Sequence, residues 1–239
     1  MEVVNSAFSV QRSALSVQRL AFGVWRSALS LQRLAFSPKR LALSIPELGS
    51  VLLLALATLL FYFLHSLLAW PGVKRWAAAI LGLDRWYRLV YSLVAVVTLG
   101  AVVWAWQRAA ATAPDPGLGL TMLGWALMGL GSALALAAVL RFGGSGFLGL
   151  TEQRTVGLVR SGLHGRVRHP IYLGVLVALA GWLIVSWIPA TWVVVGITLV
   201  YLPIGIRLEE HKLIAEFGED YRRYRREVPA LFPRLVPQR

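Results

Sequence analysis

No cysteine occurs among the 239 residues, which excludes disulfides, thiolate metal sites and a cysteine nucleophile in one step. No metal site is expected from what remains. No G-x-G-x-x-G run follows a strand-like segment, so the signature of a dinucleotide-binding βαβ unit is missing. The Gly143-Gly144-Ser145-Gly146 run precedes no phosphate-binding motif and reads as a flexible loop. A basic stripe with interleaved aromatics is also missing, although Lys and Arg outnumber Asp and Glu by 24 to 11, and nucleic acid is therefore not an expected partner.

Apolar residues are abundant. They make up 57% of the chain, above the roughly 45 to 50% of an ordinary soluble domain. Five stretches approach the length of about 17 to 25 helical residues that crosses a hydrocarbon core: Val51 to Trp70, Leu89 to Trp106, Leu118 to Leu140, Ile171 to Ile188 and Ala190 to Ile206. The expected fold class is all-α, a polytopic membrane helix bundle of about five transmembrane helices with a C-terminal amphipathic helix. Only Pro189 separates the fourth and fifth stretches, so these should form a tight antiparallel hairpin, with Pro203 tolerated near the end of the fifth.

The placement of the basic residues orients this bundle. The first and third loops and the tail after the fifth stretch hold most of the Lys and Arg, whereas the second loop holds only Arg108 and the Pro189 turn holds none. Positive-inside logic puts the basic loops and the C-terminus in the cytoplasm and the Pro114-to-Gly117 loop outside. The positive balance then reads as topology and contact with anionic membrane lipids.

Residues 1–44 break the pattern. They should lie outside, yet carry six basic residues and only Glu2 as an acid. They also repeat every seven residues, with Arg12, Arg19, Arg26, Arg33 and Arg40 in step. A coiled coil is disfavoured because acidic partners are missing and Pro38 interrupts the run. This basic extension is read as a short tandem duplication ahead of a functional chain at 45–239, so its deletion is expected to spare insertion and activity.

Two polar blocks carry the chemistry. In Arg168-His169-Pro170-Ile171-Tyr172-Leu173-Gly174, Pro170 suits a first helical turn, where its missing N–H is not needed. Arg168 and His169 then sit beside orphan N–H groups and the positive helix end, a setting for an anion such as an amino-acid carboxylate. Gly174 permits close approach by a ligand or another helix. The second block begins at Glu209 and Glu210, which the hairpin should return to the neighbourhood of Arg168 and His169. Adjacent carboxylates at a membrane boundary need solvent, a partner or a cationic ligand. Beyond them Leu213, Phe217, Tyr221, Tyr224 and Val228 mark one face of a helix that Gly218 can bend and Pro229 ends.

The pair RHPxYxG and EExxLxxxFGxxYxxYxxxVPxxxP resembles the isoprenylcysteine carboxyl methyltransferase family and its bacterial relatives, over roughly residues 150–237. The segments HSLLAWPGVKRW at 65–76 and DRWYRLVYSLVA at 84–95 are similar to bacterial membrane proteins related to methanethiol S-methyltransferases and to a denitrification-associated membrane family. The resemblance implies an integral protein of the bacterial inner membrane. It also implies a cytoplasmic S-adenosyl-L-methionine pocket in this C-terminal half and a small or lipophilic methyl acceptor. By residue, it implies cofactor contacts from the stretch Val156, Leu158 and Val159, from His164, from His169, Pro170, Ile171 and Tyr172, and from Glu209. Arg168, Gly174 and Glu210 complete the expected binding set by position. A donor with a carboxylate, an ammonium and a sulfonium is complemented by a basic mouth, an acidic pair and the Tyr172 ring.

Two departures from the family pattern stand out, one bearing on the cofactor contact at His164 and the other arguing against a prenylcysteine carboxylate as the substrate. His164 stands where the family usually has Tyr, and Gly205 stands where the prenylcysteine enzymes place a substrate-carboxylate arginine, with Arg207 a possible substitute. Methyl transfer is an in-line displacement, for which positioning supplies up to roughly 7 to 11 kcal/mol in the best-oriented cases. A carboxylate acceptor is already ionised, whereas a thiol with a pKa of about 8.5 gains from a nearby base. His65, beside Ser66 inside the first stretch, is the candidate catalytic group, since an intramembrane His usually faces the bundle. Tyr87 and Arg88 read as interfacial anchors. An NADPH-dependent reductase of the sterol reductase type and a non-enzymatic membrane protein of the same fold remain the alternatives, and thiol, carboxylate and lipid acceptors stay open.

Overall fold

A computed structural model of the protein describes residues 45–83, 86–110, 115–141 and 157–233. The repeat of residues 1–44, Asp84, Arg85, Pro114, the glycine run at 143–146 and Val156 lie outside the described residues. Among the described residues the regular structure is all helical. The elements are α1 (Ile45–Ala69), α2 (Pro71–Leu81), α3 (Tyr87–Ala109), α4 (Leu118–Leu140), a 3-10 turn (Gly162–Gly165), α5 (Pro170–Val185), α6 (Pro189–Phe217) and α7 (Glu219–Glu227).

Four of these helices, α1, α3, α4 and α6, are long and apolar enough to cross a membrane. Their outward faces carry side chains such as Leu56, Phe63, Val96, Val97 and Val200, all exposed. Water does not tolerate so continuous an apolar surface, and hydrocarbon is the solvent that suits it. The protein is an integral membrane protein.

The fourth expected span is shorter than its sequence suggested. Helix α5 has 16 residues, about 24 Å at 1.5 Å per residue, against a hydrocarbon core of roughly 30 Å. Pro170 fixes its start and residues 186–188 leave helical geometry before Pro189 opens α6. The connection therefore turns through three residues rather than at Pro189 alone, and beyond it α5 packs along α4 rather than along α6, so the tight hairpin expected of these two stretches does not form. The Ser186 and Thr191 hydroxyls lie 3.1 Å apart across that turn, satisfying polar groups inside an otherwise apolar end.

Small residues set the contact between α4 and α5. Gly124, Gly131 and Ala138 recur every seven residues on α4 and are buried, as are Gly174 and Gly181 on α5. A Cβ added at Gly131 would run into the backbone of Gly174 and Ala178, and one at Gly174 would lie 2.7 Å from the Ala135 nitrogen. The two backbones touch because nothing projects between them, the small-residue solution to helix association in lipid.

The remaining helices group around α6. Helix α1 packs on α3 and α6, with Leu54, Val102, Ala105, Ile188, Ala190 and Val194 forming a buried apolar cluster near the start of α6. Two bonds set the register of α1 on α6: the Tyr62 hydroxyl donates to Thr198 at 2.8 Å, and the Ser66 and Tyr201 hydroxyls are 2.7 Å apart. Both pairs advance together along the chain, so α1 and α6 run parallel. Tyr87 donates to the Leu68 carbonyl at 2.7 Å, satisfying an orphan acceptor at the end of α1. Its side chain thus pins two helices together, beyond the anchoring expected of it. Helix α6 continues past Glu209 and Glu210 without interruption to Phe217, where Gly218 with φ of 56° ends it and α7 begins. The expected amphipathic helix is therefore split between the last turns of α6 and α7.

Candidate functional site

A cavity of 880 Å³ opens along the C-terminal half of α6. Its α6 lining comprises Tyr201, Gly205, Leu208, Glu209, Lys212, Leu213, Glu216 and Phe217, one face of the helix. Sixteen residues of rise give this wall a length of about 24 Å. The wall carries the carboxylates and the lysine towards Phe217 and an aromatic and glycine surface towards Tyr201.

The polar end is built from the segment ahead of α5. Extended residues Gly157, Leu158 and Val159, the 3-10 residue His164 and the α5 entry residues Arg168, His169, Pro170, Ile171 and Tyr172 all line it. Tyr221 and Tyr224 of α7 close it from the far side. Of the residues singled out by sequence, Leu158, Val159, His164, Arg168, His169, Pro170, Ile171, Tyr172 and Glu209 are thus brought to one cavity. Gly174 is not among its lining residues: it lies one turn deeper, closed over by α4.

The adjacent glutamates separate into two environments. The Glu209 side chain is 46% exposed and borders the cavity, whereas that of Glu210 is 12% exposed. Glu210 receives the Arg168 guanidinium, Nε at 2.9 Å and Nη2 at 2.7 Å on the same oxygen. His169, 3% exposed, lies between the two, Nδ1 3.5 Å from Glu209 and Nε2 3.3 Å from Glu210. The Tyr172 ring lies beside His169, the two centroids 5.6 Å apart. Glu210 falls outside the α6 face that lines the cavity, which takes positions 208 and 209, 212 and 213, and 216 and 217.

The remaining donors of Arg168 hold the C-terminal segment. Its Nη1 donates to the carbonyls of Arg225, at 3.0 Å, and Val228. The backbone N–H groups of Arg168 and His169 donate to Pro229 and Ala230 at 2.9 and 3.0 Å. Four of the five guanidinium N–H groups are then engaged within the protein, leaving little capacity for the ligand carboxylate that the sequence placed there. Tyr224 reaches back to donate to the His164 carbonyl at 2.6 Å.

Burial perturbs the groups that close the polar end. Desolvation holds the His164 imidazole below its ordinary value, with Glu209 opposing, so it favours the neutral form. Desolvation likewise raises the Tyr221 phenol and pushes Tyr224 up to about 12, keeping both protonated as donors at neutral pH. Tyr221 is 1% exposed, borders the cavity, and its hydroxyl has no hydrogen-bond partner among the described residues. A buried hydroxyl without a partner costs about 1 to 3 kcal/mol, a cost that a ligand oxygen or nitrogen would relieve.

The opposite end of the cavity is aromatic and uncharged. Helix α1 contributes Phe63, His65, Ser66, Leu67 and Ala69, α3 contributes Tyr91, and Trp70 and Pro71 follow at the start of α2. The Tyr91 hydroxyl lies 2.9 Å from Nδ1 and 3.1 Å from Nε2 of His65. Tyr91 and Tyr201 were not singled out by the sequence reading. Tyr201 is nevertheless a tyrosine inside an apolar stretch, and that position was the available signal, whereas Tyr91 stands third in its stretch, where a tyrosine reads as an interfacial anchor.

Residues 53–230 match the protein family described as NnrU protein. Among characterised proteins, methanethiol S-methyltransferase 2 of Bradyrhizobium diazoefficiens is 32% identical over 207 residues, covering 81% of this chain and 77% of that protein. A methanethiol S-methyltransferase of Mycobacterium tuberculosis is 32% identical over 195 residues, covering 71% and 72%. The corresponding protein of Crocosphaera subtropica is 28% identical over 189 residues, covering 73% and 71%. No solved structure matches the chain.

Proposed function

The chain belongs to the NnrU protein family, and from that membership we propose that it is a membrane methyltransferase that uses S-adenosyl-L-methionine to methylate a small, membrane-accessible thiol. The observation that carries this reading is the single long cavity with a charged end and an uncharged aromatic end. A donor that is charged at its amino-acid part and an acceptor that is apolar require such a division. The relatives named methanethiol S-methyltransferase add support from sequence.

The residues present suit the donor. Glu209 and Glu216 offer carboxylates to an ammonium and a sulfonium, and Lys212 offers a cation to a carboxylate. Tyr172 and His164 offer rings to a purine, and the unpartnered Tyr221 hydroxyl offers a hydrogen bond. When bound, the donor supplies an electrophilic methyl group on a sulfonium. Arg168 and Glu210 act behind this surface, fixing the segment that carries His169 and the tail that carries Tyr224. The membrane walls exclude water from the deeper end, which disfavours hydrolysis and strengthens whatever electrostatic contacts form there. The reading places the polar mouth in the cytoplasm of a bacterial inner membrane, following the basic loops.

The test is methyl transfer by the full chain in detergent or proteoliposomes, with labelled S-adenosyl-L-methionine and methanethiol, followed as labelled dimethyl sulfide. Enzyme-dependent product supports the reading. A folded protein that gives no product with methanethiol or larger thiols contradicts it.

A further inference from the structure

The deeper end of the cavity carries polar groups that the donor site does not use. His65 and Ser66 project from α1, Tyr91 from α3 and Tyr201 from α6. Around them stand Phe63, Leu67 and Trp70, and the charged group whose field reaches His65 and Tyr91 is the Glu209 carboxylate. An anionic acceptor would enter without a countercharge, at high cost in a low-dielectric setting. Gly205, where a prenylcysteine enzyme would carry its arginine, has no side chain to supply one. A Cβ there would already stand 3.1 Å from the Tyr201 ring and 3.2 Å from the Tyr172 hydroxyl.

We infer that this deeper end is the acceptor site, that it takes a small neutral thiol, and that His65 receives the thiol proton while Tyr91 orients the imidazole. The inference rests on the methyl-transfer reading above. His65 brings an imidazole to this part of the lining, and the Phe61 ring stacks on it at 5.7 Å between centroids. The Tyr91 hydroxyl lies against the ring edge that carries both nitrogens, 2.9 Å from Nδ1 and 3.1 Å from Nε2, and so holds the imidazole in its orientation. The balance is simple: the S–H bond breaks, the proton passes to His65, and the sulfur pair forms the new S–CH3 bond as the donor's C–S bond breaks. The pair from that bond stays on the departing thioether. The imidazolium afterwards returns the proton to water. Ser66 and Tyr201, bonded to each other at 2.7 Å, present a satisfied surface that does not compete for the thiol.

The experiment uses the full chain in detergent and the variants His65→Asn, His65→Gln and Tyr91→Phe. Calorimetry with S-adenosyl-L-methionine is expected to give the same affinity in all four proteins within about threefold, showing an intact fold and donor end. Calorimetry with 1-propanethiol on the donor-free wild type is expected to show one saturable site. Two small neutral thiols of different acidity are then compared: methanethiol, and 2,2,2-trifluoroethanethiol, whose electron-withdrawing fluorines make its proton easier to lose. The His65 variants should lose roughly a hundredfold or more of kcat with methanethiol, in the range of a general base, and clearly less with 2,2,2-trifluoroethanethiol. Tyr91→Phe should fall between wild type and the His65 variants with methanethiol. Equal losses with both acceptors, or no loss, overturn the proton-accepting role of His65. Absence of saturable propanethiol binding overturns the acceptor site. A wild type that fails to bind S-adenosyl-L-methionine overturns the underlying methyltransferase reading and this inference with it.

Discussion

The Arg168 guanidinium closes on one oxygen of Glu210 through two N–H groups, at 2.9 and 2.7 Å, across 42 residues of sequence. The pair ties the entry of α5 to the last turns of α6, and the same guanidinium holds the carbonyls of Arg225 and Val228. Both side chains are nearly buried, 11% and 12% exposed, so solvent screens the pair little.

Removing Arg168 should therefore do more harm than its position at a polar mouth suggests. Arg168→Ala leaves the nearly buried Glu210 carboxylate only the longer contacts with His169 at 3.3 Å and Arg225 at 3.6 Å, so it should lose a large part of the about 3 to 5 kcal/mol that breaking a buried pair outright costs. Arg168→Lys cannot reproduce the fork that reaches Glu210 and the tail together, so it should recover only part of that loss. Thermal unfolding in detergent measures both. An unchanged Tm for Arg168→Ala would contradict the strap assigned to this residue.

The α4–α5 contact predicts a sharp contrast among glycines. Gly174→Ala puts a Cβ within 2.7 Å of the Ala135 backbone nitrogen, and overpacking of this kind costs about 1 to 3 kcal/mol. Gly129→Ala, on the same helix pair but with nothing within 4 Å of the new Cβ, should be neutral or slightly stabilising, because Ala favours helix. Size-exclusion profiles and Tm of the two variants provide the comparison.

His164 gives the pH dependence its sign. Burial lowers its pKa below the 6.5 of a free imidazole, so the unfolded chain takes up a proton that the folded chain refuses. Stability from this residue is complete above about pH 6.5 and is lost as pH falls from there through the lowered folded value. Tm followed from about pH 7.5 to about pH 5 should drop more steeply in the wild type than in His164→Phe, the other histidines being common to both. Parallel curves would contradict the burial argument.

Much of the architecture was legible because periodicity and length speak for single elements. The apolar stretches and the return of Glu209 to His169 followed from local pattern, whereas the tight pairing of α5 with α6 did not hold because the bare face of α5 packs on α4. Three further features did not follow from local pattern. Glu209 and Glu210 look alike in sequence, and only the face of α6 on which each falls separates the cavity wall from the Arg168 partner. Gly174 was compatible with a ligand or a helix, and the choice depended on Gly131, 43 positions away, being equally bare. Arg168 looked like an anion contact because its neighbours at a helix N-terminus suit one, whereas its partners, the Arg225 and Val228 carbonyls, come from a segment about sixty residues later. Long-range partners of this kind leave no periodic trace.

The most direct test of the account is titration of the full chain in detergent with S-adenosyl-L-methionine by calorimetry. The account predicts one saturable site. It also predicts an affinity lowered about tenfold to a hundredfold in Glu209→Gln, the loss expected when a charged hydrogen-bond partner at the cavity wall is neutralised. Absence of saturable binding by the folded wild-type protein, or an affinity indifferent to Glu209, would contradict the methyl-donor site described for this cavity.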